Sequence, residues 1–460
     1  MKTLLKSILP LWLLLTGCSL DIPYENQFSD PDAISTTSTA RELLATAYSQ
    51  LPNLEYDLSI LSDDFEPTYW ARTNPTLLNQ YNWTAQSFQD LSQATWSDYY
   101  TVIATVNALQ ERLPKINPAS DADRATLTEL MADSNTLKAY CYWQLLRLYG
   151  PDPADGLQKD AIVLKDKVEM QNLKRSSVEQ TIAEIRRLLS LAMAESRPDS
   201  ESHWLQLTAA RTLAAELELY AGNYSDAITL AQQVIDAKGL ATLEAVTYRN
   251  LWGNSQCEER IFVYDYPTTA SSFYLGLVYD RNNGDYFTVN SELQYSADDI
   301  RGPWSIYQVH QSVLGGVQNY LGKYNRLRKE QTELTQINKL RLSGAIFTKA
   351  LAQAHSGQEA EALKTLNEYL TRRGAETLDE SLSGNALLRA ILLEKQKEFV
   401  GEGERYFDLR HYRHSVLADW SGSRKIKADD YRWCWPIPRD EYLYNDQMTQ
   451  NDGWPMTNFN

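Results

Sequence analysis

Two short stretches of this chain repeat one another, and they limit its fold more than anything else in it. Leu219-Tyr220-Ala221-Gly222-Asn223-Tyr224-Ser225-Asp226-Ala227-Ile228 and Ala354-His355-Ser356-Gly357-Gln358-Glu359-Ala360-Glu361-Ala362-Leu363 each place a glycine five residues ahead of an alanine and an aliphatic residue. The glycine makes the turn after one helix, and the alanine lets the next helix lie close against it. One helix pair per repeat is the logic of tetratricopeptide arrays, in which each unit buries its apolar face against its neighbours. The expected fold is therefore mainly α: a tetratricopeptide-like helical-repeat superhelix. The two copies are far apart in sequence, so something interrupts the array.

Between about Lys238 and Asn338 the helical period fails. Glu259–Tyr266 reads as a strand, and the rest is irregular, glycine-bearing and aromatic. This predicts a loop-rich subdomain with a few short strands, displayed by a rigid scaffold. Elsewhere the apolar spacing is helical. Helices are expected near Thr39–Ser49, over Trp96–Leu109 with Trp96 and Tyr100 buried, over Leu127–Tyr149 with Cys141 as a small buried hydrophobe, and after the serine caps of Arg175-Ser176-Ser177-Val178. A further helical stripe runs through Leu388, Leu392, Phe399 and Tyr406. Gly401 and Gly403 inside it are expected where another backbone passes close by. Glu398, Glu402, Arg405 and Asp408 stand three or four apart, which predicts a structural ion-pair lattice along one face rather than catalytic carboxylates at Glu402 and Glu404.

The chain has 460 residues, 43% of them apolar and 23% charged, with a formal charge of −16. That composition is globular, and the acidic balance argues against a nucleic-acid partner, which needs a basic footprint. Cys141, Cys257 and Cys434 show no paired-ligand spacing, and His203, His310, His355, His411 and His414 share no metal-binding pattern. No cofactor and no metal is expected, and His355 is read as a surface cap at a helix end.

The first residues carry Lys2 and Lys6, then a short apolar run, Ile8–Leu15, ending Leu15-Thr16-Gly17-Cys18. This is a signal peptide with a lipobox, expected at 1–17, with acylation of Cys18. Acyl chains would anchor the protein without a transmembrane segment. A polar tether is expected over 18–38. Downstream, Leu61–Pro75 holds Tyr69 and Trp70 beside Arg72 and Asn74. A flat aromatic next to planar polar groups suits a sugar ring, whose C–H face stacks while its hydroxyls find donors and acceptors. Packing of the same loop into the core is the competing expectation. Trp83 sits in a similar polar stretch.

Several of these segments carry a resemblance. Glu398-Phe399-Val400-Gly401-Glu402-Gly403-Glu404-Arg405-Tyr406-Phe407-Asp408-Leu409-Arg410 resembles the C-terminal helix signature of the SusD/RagB family, glycan-capturing lipoproteins of Bacteroidetes outer membranes. Gly401 replaces that family's usual aromatic and Lys395 its usual upstream arginine. In matching order stand the W-x-x-x-Y-x-x-I-x-x-x-N pattern from Trp96, the helix end Arg147-Leu148-Tyr149-Gly150, Pro436-Ile437-Pro438 and Gln450-Asn451-Asp452-Gly453-Trp454, with Asp452 in place of proline.

The resemblance implies a single domain over 39–460. Its helical scaffold would lie mainly in 96–237 and 338–413, its ligand-facing segments in about 54–95 and 238–337, and a C-terminal wrap in 414–460. It implies an outer-membrane, cell-surface lipoprotein that sits as a lid on a SusC-like TonB-dependent transporter and captures oligosaccharides without catalysis. Because such binding residues come from the early loop and the interrupting segment, Tyr279, Tyr286 and Trp304 join Tyr69, Trp70, Arg72 and Asn74 as candidates. Three alternatives remain: an oligopeptide-binding lid, a surface glycoside hydrolase using Asp63 or Asp64 with an unidentified second acid, and a helical-repeat adaptor that binds no small ligand.

Overall fold

Serine and threonine caps open the first long helices. Thr36 caps α1 (Thr37–Ser49) by accepting from the Thr39 N–H. Short helices α2 (Glu55–Leu61) and α3 (Pro75–Tyr81) precede α4 (Ala85–Arg112), and Ser120 caps α5 (Asp121–Tyr149). Ser177 and Gln180 exchange hydrogen bonds of 3.1 and 3.0 Å, a capping box at the start of α6 (Val178–Glu195). The computed structural model describes residues 34–456 other than 170, 196, 198, 200–201, 266–285, 312–314, 327–335 and 414–423.

The two repeat copies become stacked hairpins. Helices α7 (Leu207–Tyr220) and α8 (Tyr224–Lys238) form the first, and after the short α9 (Ala245–Asn250) and the single turn α10 (Gly302–Ser305), α11 (Leu342–His355) and α12 (Glu359–Arg372) form the second. Both turn through a left-handed glycine, Gly222 at φ +80° and Gly357 at φ +78°. In each, the residue after the glycine donates back five positions, Asn223 to Glu218 O at 2.8 Å and Gln358 to Gln353 O at 2.8 Å. This closure satisfies the last carbonyls of the helix. Ala227 and Ala362 are fully buried, and α11 packs on both α7 and α8. Segments separated by the whole interruption are thus neighbours in space.

The interruption leaves and returns at one place. Strand β2 (Arg260–Asp265) pairs antiparallel with β6 (Gln336–Arg341), which runs directly into α11. Inside it, β4 (Ile306–Gln311) and β5 (Gly316–Leu321) form a hairpin. β3 (Phe287–Val289) reaches back to β1 (Phe65–Pro67), pairing Phe65 with Val289 and Pro67 with Phe287. Tyr56, Phe65, Leu77, Tyr81, Trp252, Phe287, Leu321 and Tyr324 share a second, smaller core beside the main one. The early segment and the interruption therefore build one subdomain. The early segment is more regular than expected, because α3 and the first turns of α4 occupy 75–95. Trp83 is not a loop residue on display: it is fully buried, and its indole N–H donates to Leu61 O at 2.9 Å.

The expected single helical stripe through Tyr406 is two helices, α13 (Gly384–Phe399) and α14 (Glu404–His411), broken between them. Gly401 and Gly403 have φ of +78° and +81°, and a Cβ on Gly403 would come within 3.1 Å of the Glu55 Cα. The close backbone is that of α2. The break also redirects the charges, which pair with other elements rather than along one face. Asp63 takes Arg405 at 2.7 Å, and Asp408 takes Lys395 at 2.7 Å. Glu402 takes Lys323 at 2.7 Å and Arg341 at 2.8 Å. Glu398 bonds Arg341 and the Tyr369 hydroxyl, while Glu259 takes Arg373 at 2.7 Å. Glu259, Glu398, Lys323, Arg341 and Arg373 are sealed from water, where each ion would cost several kcal/mol unless paired, while Asp63, Arg405 and Lys395 keep some contact with solvent.

The C-terminal residues close the end of α5, whose last carbonyls have no partner inside the helix. Arg410 donates to the carbonyls of Arg147, Leu148 and Gly150. The Trp435 N–H takes Leu148 O at 2.8 Å, and the Asn451 side chain donates to Tyr149 O at 2.8 Å. One physical need thus gathers the helix end, the α14 arginine and the terminal asparagine. Tyr406 and Trp435 fill the space between them. A final short helix, α15 (Arg439–Tyr444), lies on this wrap.

Candidate ligand-binding site

The candidate residues sit on the smaller core. Beyond β1, Thr68 accepts a hydrogen bond from the Trp70 N–H and starts a tight helical turn over Tyr69–Thr73. That turn lifts Tyr69 into solvent, 64% exposed. The rings of Tyr69 and Trp70 meet edge to face at 5.8 Å, and the Arg72 guanidinium lies 5.7 Å from the Tyr69 ring centre. Trp70 is half-buried and Arg72 exposed. Asn74 holds the turn's exit in place, because its side-chain oxygen accepts from the Leu77 N–H at 3.3 Å and caps α3.

The interruption supplies the other side. The Thr68 N–H donates to Tyr286 O at 2.8 Å, extending the β1–β3 ladder and holding Tyr286 against the Tyr69–Thr73 turn. Tyr286 and Trp304 are both half-buried and pack on the smaller core. Trp304, in α10, carries the Arg326 guanidinium 5.6 Å from its ring. Arg326 also donates to Pro303 O at 2.7 Å, which fixes it beside that tryptophan. Arg326 escaped the sequence reading because nothing in the sequence puts it opposite a tryptophan 22 positions earlier. Tyr279 and Cys18 lie outside the described residues, as does His414.

Other residues weighed as functional are held elsewhere. Asp64 is fully buried, accepts from the Gly401 N–H at 3.2 Å, and has its carboxyl pushed up to about 7 by burial and then by Asp63. Together with the Asp63–Arg405 pair it clamps the early loop to the glycine turn. His355 is not a surface cap: its half-buried ring stacks between Tyr224 at 5.3 Å and Tyr412 at 5.6 Å. Burial and the nearby His411 lower its affinity for a proton. His411 Nδ1 lies 2.7 Å from Asp152. Among the described residues no three His, Cys, Asp or Glu side chains gather as metal ligands, and no helix is long and apolar enough to cross a membrane.

A cavity whose exposed lining is mainly apolar, with charged side chains at its wall, lies apart from these loops, in the helical scaffold. It is about 90 Å³ and opens between α5, α7, α11, α13 and α14, lined by Trp143, Arg147, Glu216, Lys395, Glu404 and Asp408 among others. Glu404 pairs with Arg147 at 3.4 Å, and despite burial Arg147 and Lys395 hold its carboxyl below the ordinary range. None of the loop aromatics lines this cavity. Sequence reading did not anticipate it, because its six groups come from separated stretches of the chain.

Two family descriptions match the chain. Residues 20–217 match one described as "Starch-binding associating with outer membrane", and residues 277–454 match "SusD family". A SusD-like protein of Formosa agariphila is 20% identical, over 78% of each chain. Among solved structures, a putative sugar binding protein from Bacteroides vulgatus superposes with a TM-score of 0.77 at 22% identity, covering 92% of this chain and 99% of that one. A SusD superfamily protein from the same organism gives a TM-score of 0.79 at 20% identity, covering 92% and 100%. With both halves matched and the whole fold shared, the chain belongs to the SusD/RagB family.

Proposed function

We propose that this protein is a lipid-anchored lid at the outer-membrane surface. It captures oligosaccharides, performs no bond cleavage, and passes its cargo to a SusC-like TonB-dependent transporter. The observation that carries this reading is the Tyr69–Trp70 pair, with Tyr69 largely exposed and Arg72 beside it, raised on a turn braced by Tyr286. Trp304 under Arg326 offers a second aromatic–guanidinium unit on the same small core. Ring faces stack on the C–H surface of a sugar, and guanidinium groups donate to its hydroxyls. Similar structures described as a putative sugar binding protein and a SusD-like carbohydrate binding protein support the cargo class.

A panel of neutral oligosaccharides and oligopeptides, titrated against the mature protein with product analysis on each mixture, tests the proposal. Saturable binding of one glycan class without new products is expected. Selective peptide binding, or release of shorter sugars, would contradict it. For the anchor, mass spectrometry of membrane-extracted protein should find an acylated Cys18 at the new N-terminus, and Cys18→Ser should leave the leader uncleaved.

A further inference from the structure

The two guanidinium groups of the aromatic surface keep their carboxylate-binding edges open. Elsewhere in the molecule an arginine's Nε and Nη2 together clasp an acid. Arg186 holds Glu218 at 2.6 and 2.9 Å, Arg405 holds Asp63 at 2.7 and 2.9 Å, and Arg432 holds Asp430 at 2.9 and 2.7 Å. That edge matches the two oxygens of a carboxylate. Arg326 spends Nη1 on Pro303 O at 2.7 Å, which holds the group beside Trp304 and leaves its Nε–Nη2 edge unbonded among the described residues. The Arg72 guanidinium stands 5.7 Å from the Tyr69 ring centre and has no hydrogen-bond partner among the described residues. Both arginines are exposed. Glu66, the acid of β1, pairs with neither: it accepts from Ser291 Oγ at 3.2 Å.

Each open edge stands beside a ring suited to stacking on a sugar, and both units ride on one run of strands. β1 pairs with β3, β3 packs against β5, and β5 pairs with β4, into which α10 leads. A sugar stacked on either ring presents its substituents to a guanidinium donor pair, and the substituent that fills such a pair is a carboxylate. The net charge of −16 gives an anion no long-range attraction to this chain. Recognition therefore acts at contact range, inside the Debye length of about 8 Å at physiological salt. We propose, on the oligosaccharide reading above, that the cargo is an acidic oligosaccharide: Arg72 and Arg326 take its uronic-acid carboxylates while its rings stack on Tyr69 and Trp304. A neutral chain of the same sugars still stacks, and binds more weakly.

Calorimetric titration of the mature protein with oligogalacturonate, oligomannuronate and oligoglucuronate, each beside its carboxyl-reduced neutral form, tests the assignment. One acidic form should bind at least about tenfold more tightly than its reduced counterpart. The Arg72→Gln/Arg326→Gln double variant should erase that difference and leave affinity for the reduced form as in the parent. If the loss of the Pro303 contact makes the double variant melt early, Arg72→Gln alone, which breaks no hydrogen bond, should still shrink the difference. Reduced forms binding as well as acidic ones, or a preference that survives in the folded variants, would overturn the acidic assignment and leave the oligosaccharide reading standing. Binding of peptides with no sugar bound in either form would remove both.

Discussion

At the residue scale, single atoms decide where this chain bends. Gly222 and Gly403 have nearly the same φ, +80° and +81°, but different surroundings. A Cβ on Gly222 meets nothing within 4 Å, whereas one on Gly403 meets the α2 backbone at 3.1 Å and the Leu58 Cβ at 3.3 Å. Gly222→Ala should therefore cost only its left-handed conformation, about 1–2 kcal/mol. Gly403→Ala should cost that plus displacement of α2, about 1–3 kcal/mol more. Urea midpoints of the two variants measure the difference. Glu398 makes a second test. Truncation to alanine leaves Arg341 and Arg373 facing an emptied acid site, and loss of one partner in a buried pair costs about 3–5 kcal/mol. A melting curve close to that of the parent protein would show that the cluster is less tightly sealed than described.

Elements explain what was legible in the sequence. The repeat hairpins were readable because their turn chemistry is local: a glycine, then an alanine five residues on, with every contact inside one short segment. Serine caps at α6 and the strand at β2 were readable for the same reason. The break between α13 and α14 was not, because the apolar stripe continues through Gly401–Gly403 and only the distant α2 shows why the chain must turn there. Trp83 misled in the opposite direction, since its polar neighbours in sequence conceal Phe88, Tyr406 and Trp433 packed around its ring. Tyr69 and Trp70 could be singled out by composition, but their exposure depends on β1 pairing with β3, a strand far along the chain. That ladder carries its own prediction. Phe65 and Phe287 stack with ring centres 6.4 Å apart across it. Phe287→Ala should cost about 3–5 kcal/mol and should lower affinity for any ligand of the Tyr69–Trp70 turn, measured by melting and titration together. Intact affinity in that variant would separate the turn from the ladder.

For the whole molecule, buried acids set the response to pH. Asp57 is raised to about 6, and Asp64, Asp133 and Glu216 to about 7, in each case chiefly by burial. Between about pH 4 and 7 the folded chain holds these protons more tightly than the unfolded chain, so stability falls as pH rises through that window. Glu398 runs the other way. Against burial, Arg341 and then Arg373 hold it down to about 2. Its contribution is complete above the ordinary glutamate range and is lost as pH falls toward 2. Urea denaturation across pH should therefore give greatest stability near about pH 4, and a steady rise from pH 5 to 8 would contradict this assignment of charges.

The helical stack, the ionic seam and the C-terminal wrap all serve to hold a small aromatic-bearing subdomain in place. The most direct test is a binding titration of the Tyr69→Ala/Trp70→Ala double variant against the oligosaccharide that the parent protein binds best. Its melting temperature should match the parent's, and its affinity should fall by at least about tenfold, the loss expected when a stacking centre is removed. Unchanged affinity in the well-folded double variant would place the cargo site elsewhere on the molecule.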